Sequence, residues 1–287
     1  MAQSPSHKFG QIIGELLEQA IELPLQEVAD DYGLYLDRKH PRRARGGKRK
    51  VAWTDNKGNV HDLDYVIEEG GSETVQGRPR AFIETAWRRY TKHSRNKSQE
   101  IQGAIVPLAE TYAESHPFLG VVLAGDFTRG SLTQLRSHGF QILYYPYETI
   151  IEAFAIANID AHFDEGTPDA DLQEKVDAFE ALSESRKQQI AKKLRDLMQR
   201  ELALFVGSLK ETLERSVKRV RIVPLHGSPH DLASIDDAVA FIEAFDEASS
   251  NNPFVRYELD VLYTNGDAIR GEFRDKADAI RFLSALS

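Results

Sequence analysis

Two acids stand twenty residues apart, Asp64 in HDLDYVIEE and Glu84 in AFIETAW, each in a short run otherwise rich in apolar residues. A burst of cations follows: Arg88, Arg89, Lys92, Arg95 and Lys97 in WRRYTKHSRNK. A carboxylate among Phe, Ile and Ala is costly to bury unless something compensates its charge. A divalent cation does so. Mg²⁺ takes oxygen ligands, uses one or two carboxylates and keeps waters that can meet a phosphate. Two strands each giving one carboxylate to a shared point would make such a site, and the metal would polarise a phosphate and help form hydroxide from water. The cations beside it would meet the scissile and flanking phosphates. The competing reading is a pair of exposed strand-end acids bonded to neighbouring Arg or Lys.

Side chains alternate along a strand, so Asp62, Asp64, Val66 and Glu68 are expected on one face, and Phe82, Glu84 and Ala86 on one face of the next strand. Asp62 competes with Asp64 for the ligand position. Asp64 is preferred because it adjoins the apolar DYVIE run, with Glu68 a third choice.

The elements that would hold these residues read as follows. Apolar positions at helical spacing, from Phe9 to Ile21, predict a helix that Pro24 divides in two. VAWTDNKGNVHDLDYVIEE predicts a hairpin turning at DNKGN, and AFIETAW a third strand of a meander. A helix is expected from Ser94, its N-cap, through Tyr112. FLGVVLAG and FQILYYP are buried strands, SLTQLRSHG and YETIIEAFAIANI helices. The sum is an α/β (α+β) domain, a mixed central sheet flanked by helices, over residues 1–160. Residues 161–216 are charged and helical, two helices able to carry a dimer contact or to pack on their own domain. Residues 217–287 read as a small βαββα accessory domain. There KRVRIVPL is a strand, Ser234 caps a helix and Asn265–Gly266 turns a hairpin.

The chain carries a net charge of −9 over 287 residues, unevenly spread. Residues 38–97 hold sixteen Lys/Arg against seven Asp/Glu, a local +9 that leaves −18 elsewhere. Such a segment suits a polyanion and predicts salt-sensitive binding; alternatively it is a solvated loop facing the protein's own acids. Its densest part, RKHPRRARGGKRK at 38–50, holds eight Lys/Arg and no core residue, and is expected to be a mobile arm. The absence of cysteine excludes a disulfide framework and Cys-type zinc sites. No run reaches the length of a membrane span, and no leader is read at the start, so a cytoplasmic protein is expected. GDFTRGS lacks the spacing of a nucleotide loop, GxSxG is missing, and His226 and His230 in LHGSPHD make a weak metal pair.

Asp64, the gap, Glu84 on an apolar strand and a helix near Arg95 together resemble the PD-(D/E)XK nuclease superfamily, of restriction-endonuclease-like fold, over residues 10–160. The resemblance implies that Asp64 and Glu84 bind Mg²⁺ and that a lysine assists the attacking water. The chain departs from the pattern at Leu63, where the family has Pro, and at Ala86, where it has the lysine. Some members take the lysine from the following helix, which points to Lys97, with Lys92 and His93 as alternatives. Gln99, Glu100 and Gln102 lie on the same helix, where the family often uses Gln or Glu. The implied function is an Mg²⁺-dependent, restriction-type DNA endonuclease. Arg42, Arg43, Arg45, Arg88, Arg89, Lys92 and Arg95 would grip the DNA backbone, and a homodimer would supply the two sites that cutting both strands requires. Ala86 equally suits a DNA-binding module that kept the fold without the chemistry. A subunit of a defence or repair complex and a protein-binding scaffold are further alternatives.

Overall fold

A computed structural model describes residues 4–225, 227–248 and 254–286. The chain divides into two compact units, one running to Lys210 and one starting at Glu211.

The first unit opens with α1 (Pro5–Asp31), capped by the Ser4 hydroxyl, which accepts from the His7 amide. Pro24 does not divide it, contrary to the sequence expectation. Leu17, Ala20 and Ile21 before the proline and Leu25, Val28 and Ala29 after it are all buried on the same core face. That shared burial outweighs the single backbone hydrogen bond the proline removes.

Next come β1 (Tyr35–Asp37), β2 (Val51–Thr54), β3 (Val60–Leu63), β4 (Tyr65–Glu69), β5 (Arg78–Arg88), α2 (Thr91–Thr111), β6 (Phe118–Gly125), α3 (Arg129–Ser137), β7 (Gln141–Pro146) and α4 (Tyr147–Ala155). The central sheet has the order β1-β4-β5-β6-β7. Its first three strands run antiparallel and β5, β6 and β7 run parallel, so the sheet is mixed, as expected. The expected three-strand meander is corrected. β2 and β3 form a separate hairpin, and the strand read across Val60–Glu69 breaks at Asp64. Helices cover both faces. Val66, Phe82, Val121 and Leu123 pack with Ile101, Ile105 and Leu108 of α2 and Leu135 of α3, while α1 lies against β5 and α4 against β6 and β7. α2 begins at Thr91, and Ser94 is no cap: it is fully buried within the helix, its hydroxyl donating to the Thr91 carbonyl.

Residues 161–216 contain three helices where two were expected: α5 (Asp169–Glu180), α6 (Glu184–Leu197) and α7 (Gln199–Glu214). α5 and α6 pack on α1, so the first unit extends well beyond residue 160.

The basic arm is also corrected. Arg42 is fully buried, its guanidinium bonded to both oxygens of Glu68 at 2.6 and 2.9 Å and 2.8 Å from Asp37, with further bonds to the Ser72 and Val75 carbonyls. Arg45 is buried against Asp37 and donates to the Arg38, His40 and Lys50 carbonyls. Two arginines buried among paired acids pin this segment to β1 and β4, because an arginine taken out of water must keep its partners.

The second unit holds β8 (Val217–Leu225), β9 (His230–Leu232), α8 (Ile235–Ala244), β10 (Arg256–Tyr263), β11 (Ala268–Phe273) and α9 (Lys276–Ser284), with an antiparallel sheet of order β11-β10-β8-β9. The expected unit is present with β9 added. Ser234 caps α8, accepting from the Asp237 amide. Ile235, Ala238 and Ile242 of α8 and Ala279 and Leu283 of α9 pack on Val220, Ile222, Leu259 and Val261 of the sheet.

Candidate functional site

The interruption at Asp64 is what builds the site. β4 pairs with β5 so that Tyr65 faces Ile83; extending that register by one residue sets Asp64 across from Glu84. The chain bends at Asp64, and its carboxylate takes over as the acceptor at that point of the sheet. Asp64 Oδ2 receives both the backbone N–H and the hydroxyl of Thr85, each at 2.7 Å. Both Thr85 donors thus fall on one oxygen of Asp64.

Glu84 lies in the C-terminal half of β5, its side chain 14% exposed, and its Oε2 is buried with no hydrogen-bond partner. Lys97 reaches back from the second turn of α2 and sets its ammonium 3.6 Å from Glu84 Oε1. The Glu84 carboxyl is pushed up to about 8, first by burial and then by the negative charge of Asp64; the Lys97 ammonium and the Asp64 backbone amide pull the other way without winning. Asp64, Glu84 and Lys97 line one cleft of about 610 Å³ between the first half of α1 and the start of α2.

That cleft holds a third carboxyl, which the sequence reading did not name. Glu18 projects from α1, and its carboxyl is pushed up to about 7 by burial and by Asp64, with Lys39 opposing. Gly14 and Gly10 stand one and two helical turns before it and also line the cleft. A glutamate following two glycines at four-residue steps is the pattern that marks it, on a helix whose strongest signal is its apolar stripe. Asp64 therefore acts on two other carboxyls at once. Glu18 and Glu84 are thus both held above their ordinary range beside the same neighbouring charge.

The donor set fits Mg²⁺, which needs only one or two carboxylates and fills its remaining positions with water. Asp64 has an oxygen free of Thr85, and Glu84 has an orphaned one. Among the described residues no cluster of three or more His, Asp or Glu forms a ready-made metal cage.

The other residues expected to serve the site fall into two groups. Asp62, the competing ligand, lies in the β2–β3 hairpin and pairs with Lys50; Glu68 is consumed by Arg42. Lys92 pairs with Glu165 and is well exposed, so of the two lysines only Lys97 faces the acids. His93 is exposed at the cleft rim. Gln102 turns away and accepts from Gln134 at 3.0 Å.

Among the residues expected to grip DNA, Arg42 and Arg45 are buried and cannot reach a phosphate, whereas Arg43 is exposed. Arg89 is largely buried, donating to the Phe163 carbonyl and Asp126 and lying 4.0 Å over the Tyr147 ring. Arg88 lines the cleft and Arg95 is exposed. Trp87 lines the cleft while packing against Tyr147 at 5.8 Å and close to Gly10. In LHGSPHD, His226 lies outside the described residues, and the His230 ring packs 4.4 Å from Phe241.

No helix among the described residues is long and apolar enough to cross a membrane. No family model matches the chain, and no curated protein matches it. Among solved structures, one titled "Crystal Structure of Protein of Unknown Function AF1548" is similar over 67% of this chain and 99% of that chain, at 13% identity and a TM-score of 0.28. A likeness that slight carries no argument.

Proposed function

We propose that this protein is a divalent-metal-dependent phosphodiesterase acting on DNA, with the restriction-endonuclease-like arrangement of an acid pair on adjoining strands. The observation that carries the proposal is Glu84. It is buried in an apolar strand with one orphaned oxygen, beside Asp64 and 3.6 Å from Lys97. A buried acid left in that condition costs stability, and such costs concentrate where chemistry is done.

Asp64 and Glu84 would hold the metal, which when bound supplies Lewis-acid activation of the phosphate and an acidified water. Thr85 fixes the Asp64 carboxylate by two hydrogen bonds, so that one oxygen is aimed and the other left free. Lys97 stands where its ammonium can orient the attacking water or donate to a non-bridging phosphate oxygen. Water would attack phosphorus as the P–O bond to the leaving sugar oxygen breaks, the water giving up a proton and the leaving oxygen taking one up. Glu18, with its carboxyl held near neutrality, is placed to exchange a proton at the cleft wall. Cutting both strands would draw on two copies of the site, so we propose a homodimer.

Incubation of the purified protein with supercoiled plasmid and Mg²⁺ tests the reading. Nicking or linearisation is expected, lost in Asp64→Ala and Glu84→Ala; equal nicking by all three proteins assigns the activity to a contaminant. Ala86, standing where the family pattern has lysine, favours one other reading, a module that binds DNA without cleaving it. That reading predicts a salt-dependent gel shift and no cleavage with any divalent ion.

A further inference from the structure

The cations that follow β5 are not equivalent. Arg89 is committed to Phe163 and Asp126, and Lys92 to Glu165. Arg88 and Lys97 differ: both line the cleft, and Lys97, besides lying 3.6 Å from Glu84, faces with Arg88 the same oxygen of a third residue. Glu100 Oε2 lies 3.8 Å from Arg88 Nη2 and 3.5 Å from Lys97 Nζ. Both are charge contacts longer than an ordinary hydrogen bond. The Glu100 side chain is 60% exposed, so solvent screens them further. Arg88 is meanwhile fixed through its other nitrogen, Nη1 donating to the Trp87 carbonyl at 2.8 Å, which leaves Nη2 directed at Glu100. Its backbone is fixed as well: the Asp126 amide donates to the Arg88 carbonyl at 2.8 Å, beside Gly125.

We propose that Arg88 and Lys97 form a phosphate subsite at the cleft rim, occupied in the free protein by the Glu100 carboxylate, which an incoming phosphate displaces. The identification of that phosphate with one in a nucleic acid backbone rests on the function proposed above; the subsite itself does not. A phosphate matches the two donors better than Glu100 does, because it presents three or four oxygens and accepts charge-assisted bonds from a guanidinium and an ammonium together. Glu100 sits on α2 three residues beyond Lys97 and can swing outward into solvent without disturbing the helix. The displacement exchanges two loose, screened contacts for direct ones.

The test uses inorganic phosphate titrated against tryptophan fluorescence at low salt in EDTA, so that neither metal nor DNA is involved. Trp87 lines the cleft and reports on it, whereas Trp53, the other tryptophan, is buried in the core. Glu100→Gln is expected to bind phosphate about fivefold more tightly than the wild type. Glu110→Gln, the same charge change farther along α2, stays within about twofold. Adding Arg88→Gln to Glu100→Gln abolishes the gain. Unchanged affinity in Glu100→Gln overturns the subsite, as does an equal gain in Glu110→Gln, which would reduce the effect to net charge. The same proteins are then titrated with a fluorescent duplex oligonucleotide. A phosphate gain unaccompanied by any DNA binding keeps the subsite and removes the nucleic-acid reading.

Discussion

Replacing Glu84 by Gln should make the protein more stable, and only above a certain pH. In the folded chain the Glu84 carboxyl keeps its proton until about pH 8, against 4.5 for the unpaired group. A carboxyl raised by folding favours the folded state below its unfolded value, and that contribution is lost as pH rises. The loss therefore runs from about 4.5 to about 8 and then levels off. At 1.36 kcal/mol per pH unit the full span comes to about 5 kcal/mol. Some relaxation and the residual solvent access of a side chain 14% exposed bring this to about 2–3 kcal/mol. Glutamine keeps the shape and never ionises, so it escapes this loss. Urea or thermal unfolding of wild type and Glu84→Gln in EDTA at pH 5, 7 and 8.5 reads it directly. The two proteins should be close at pH 5 and separate in favour of the glutamine by pH 8.5, with a melting shift on the order of 5–10 °C. Glu18, present in both proteins, cancels. A gap that does not change with pH, or a glutamine variant weaker than wild type at pH 8.5, refutes the claim that Glu84 is held in a costly state.

Three further outcomes follow from single contacts. Thr85→Val, which removes the hydroxyl from Asp64 while keeping the shape, should weaken divalent-cation binding measured by calorimetry about tenfold, with Thr85→Ser near wild type. Arg42→Ala strands Glu68 in the interior, leaves Asp37 to Arg45 alone and should cost about 3–5 kcal/mol of unfolding free energy, whereas Arg43→Ala should leave the melting temperature unchanged and shift only the salt dependence of any DNA binding. Gly125→Ala forces a side chain onto a residue at φ +95° whose added carbon would lie 2.2 Å from the Arg88 carbonyl; it should lower stability by about 2 kcal/mol or more and weaken phosphate binding at the cleft rim.

Features settled by a few neighbouring residues are legible in this sequence, and those that depend on distant partners are not. Asp64, Glu84 and Lys97 were legible because each stands in or beside a run with a recognisable period, and the order of β4, β5 and α2 was enough to bring them to one cleft. The same holds for the cap at Ser234 and the turn at Asn265–Gly266, which are settled within four residues. β1 was not legible: three residues, Tyr35–Asp37, are too short to show alternation. The break at Asp64 was hidden for the opposite reason, since DLDYVIE alternates well enough to pass for one strand, and only the Thr85 donors from the neighbouring strand explain the bend.

The cationic run at 38–50 is where the local reading misled most, and the reason bears on function. Eight Lys/Arg in thirteen residues offer no apolar anchor, so composition places the whole run in solvent. Its anchors are instead two of the arginines, and their partners, Asp37 and Glu68, lie in strands that become neighbours only after β1 pairs with β4. Burying Arg42 and Arg45 removes them from any polyanion surface, yet it also converts the remaining cations from a loose tail into a fixed display. Arg43, Lys48, Arg49 and Lys50 are exposed on a segment held at both arginines, and Lys39 lies near enough to lower the Glu18 carboxyl in the cleft. A polyanion meeting fixed cations pays less ordering entropy than one that must gather a flexible arm. Arg42→Ala in a background stable enough to remain folded should therefore weaken the DNA binding we propose as well, although the buried Arg42 cannot itself reach a phosphate. Arg42→Ala binding DNA with wild-type affinity while its exposed neighbours are intact would show that the display needs no anchoring.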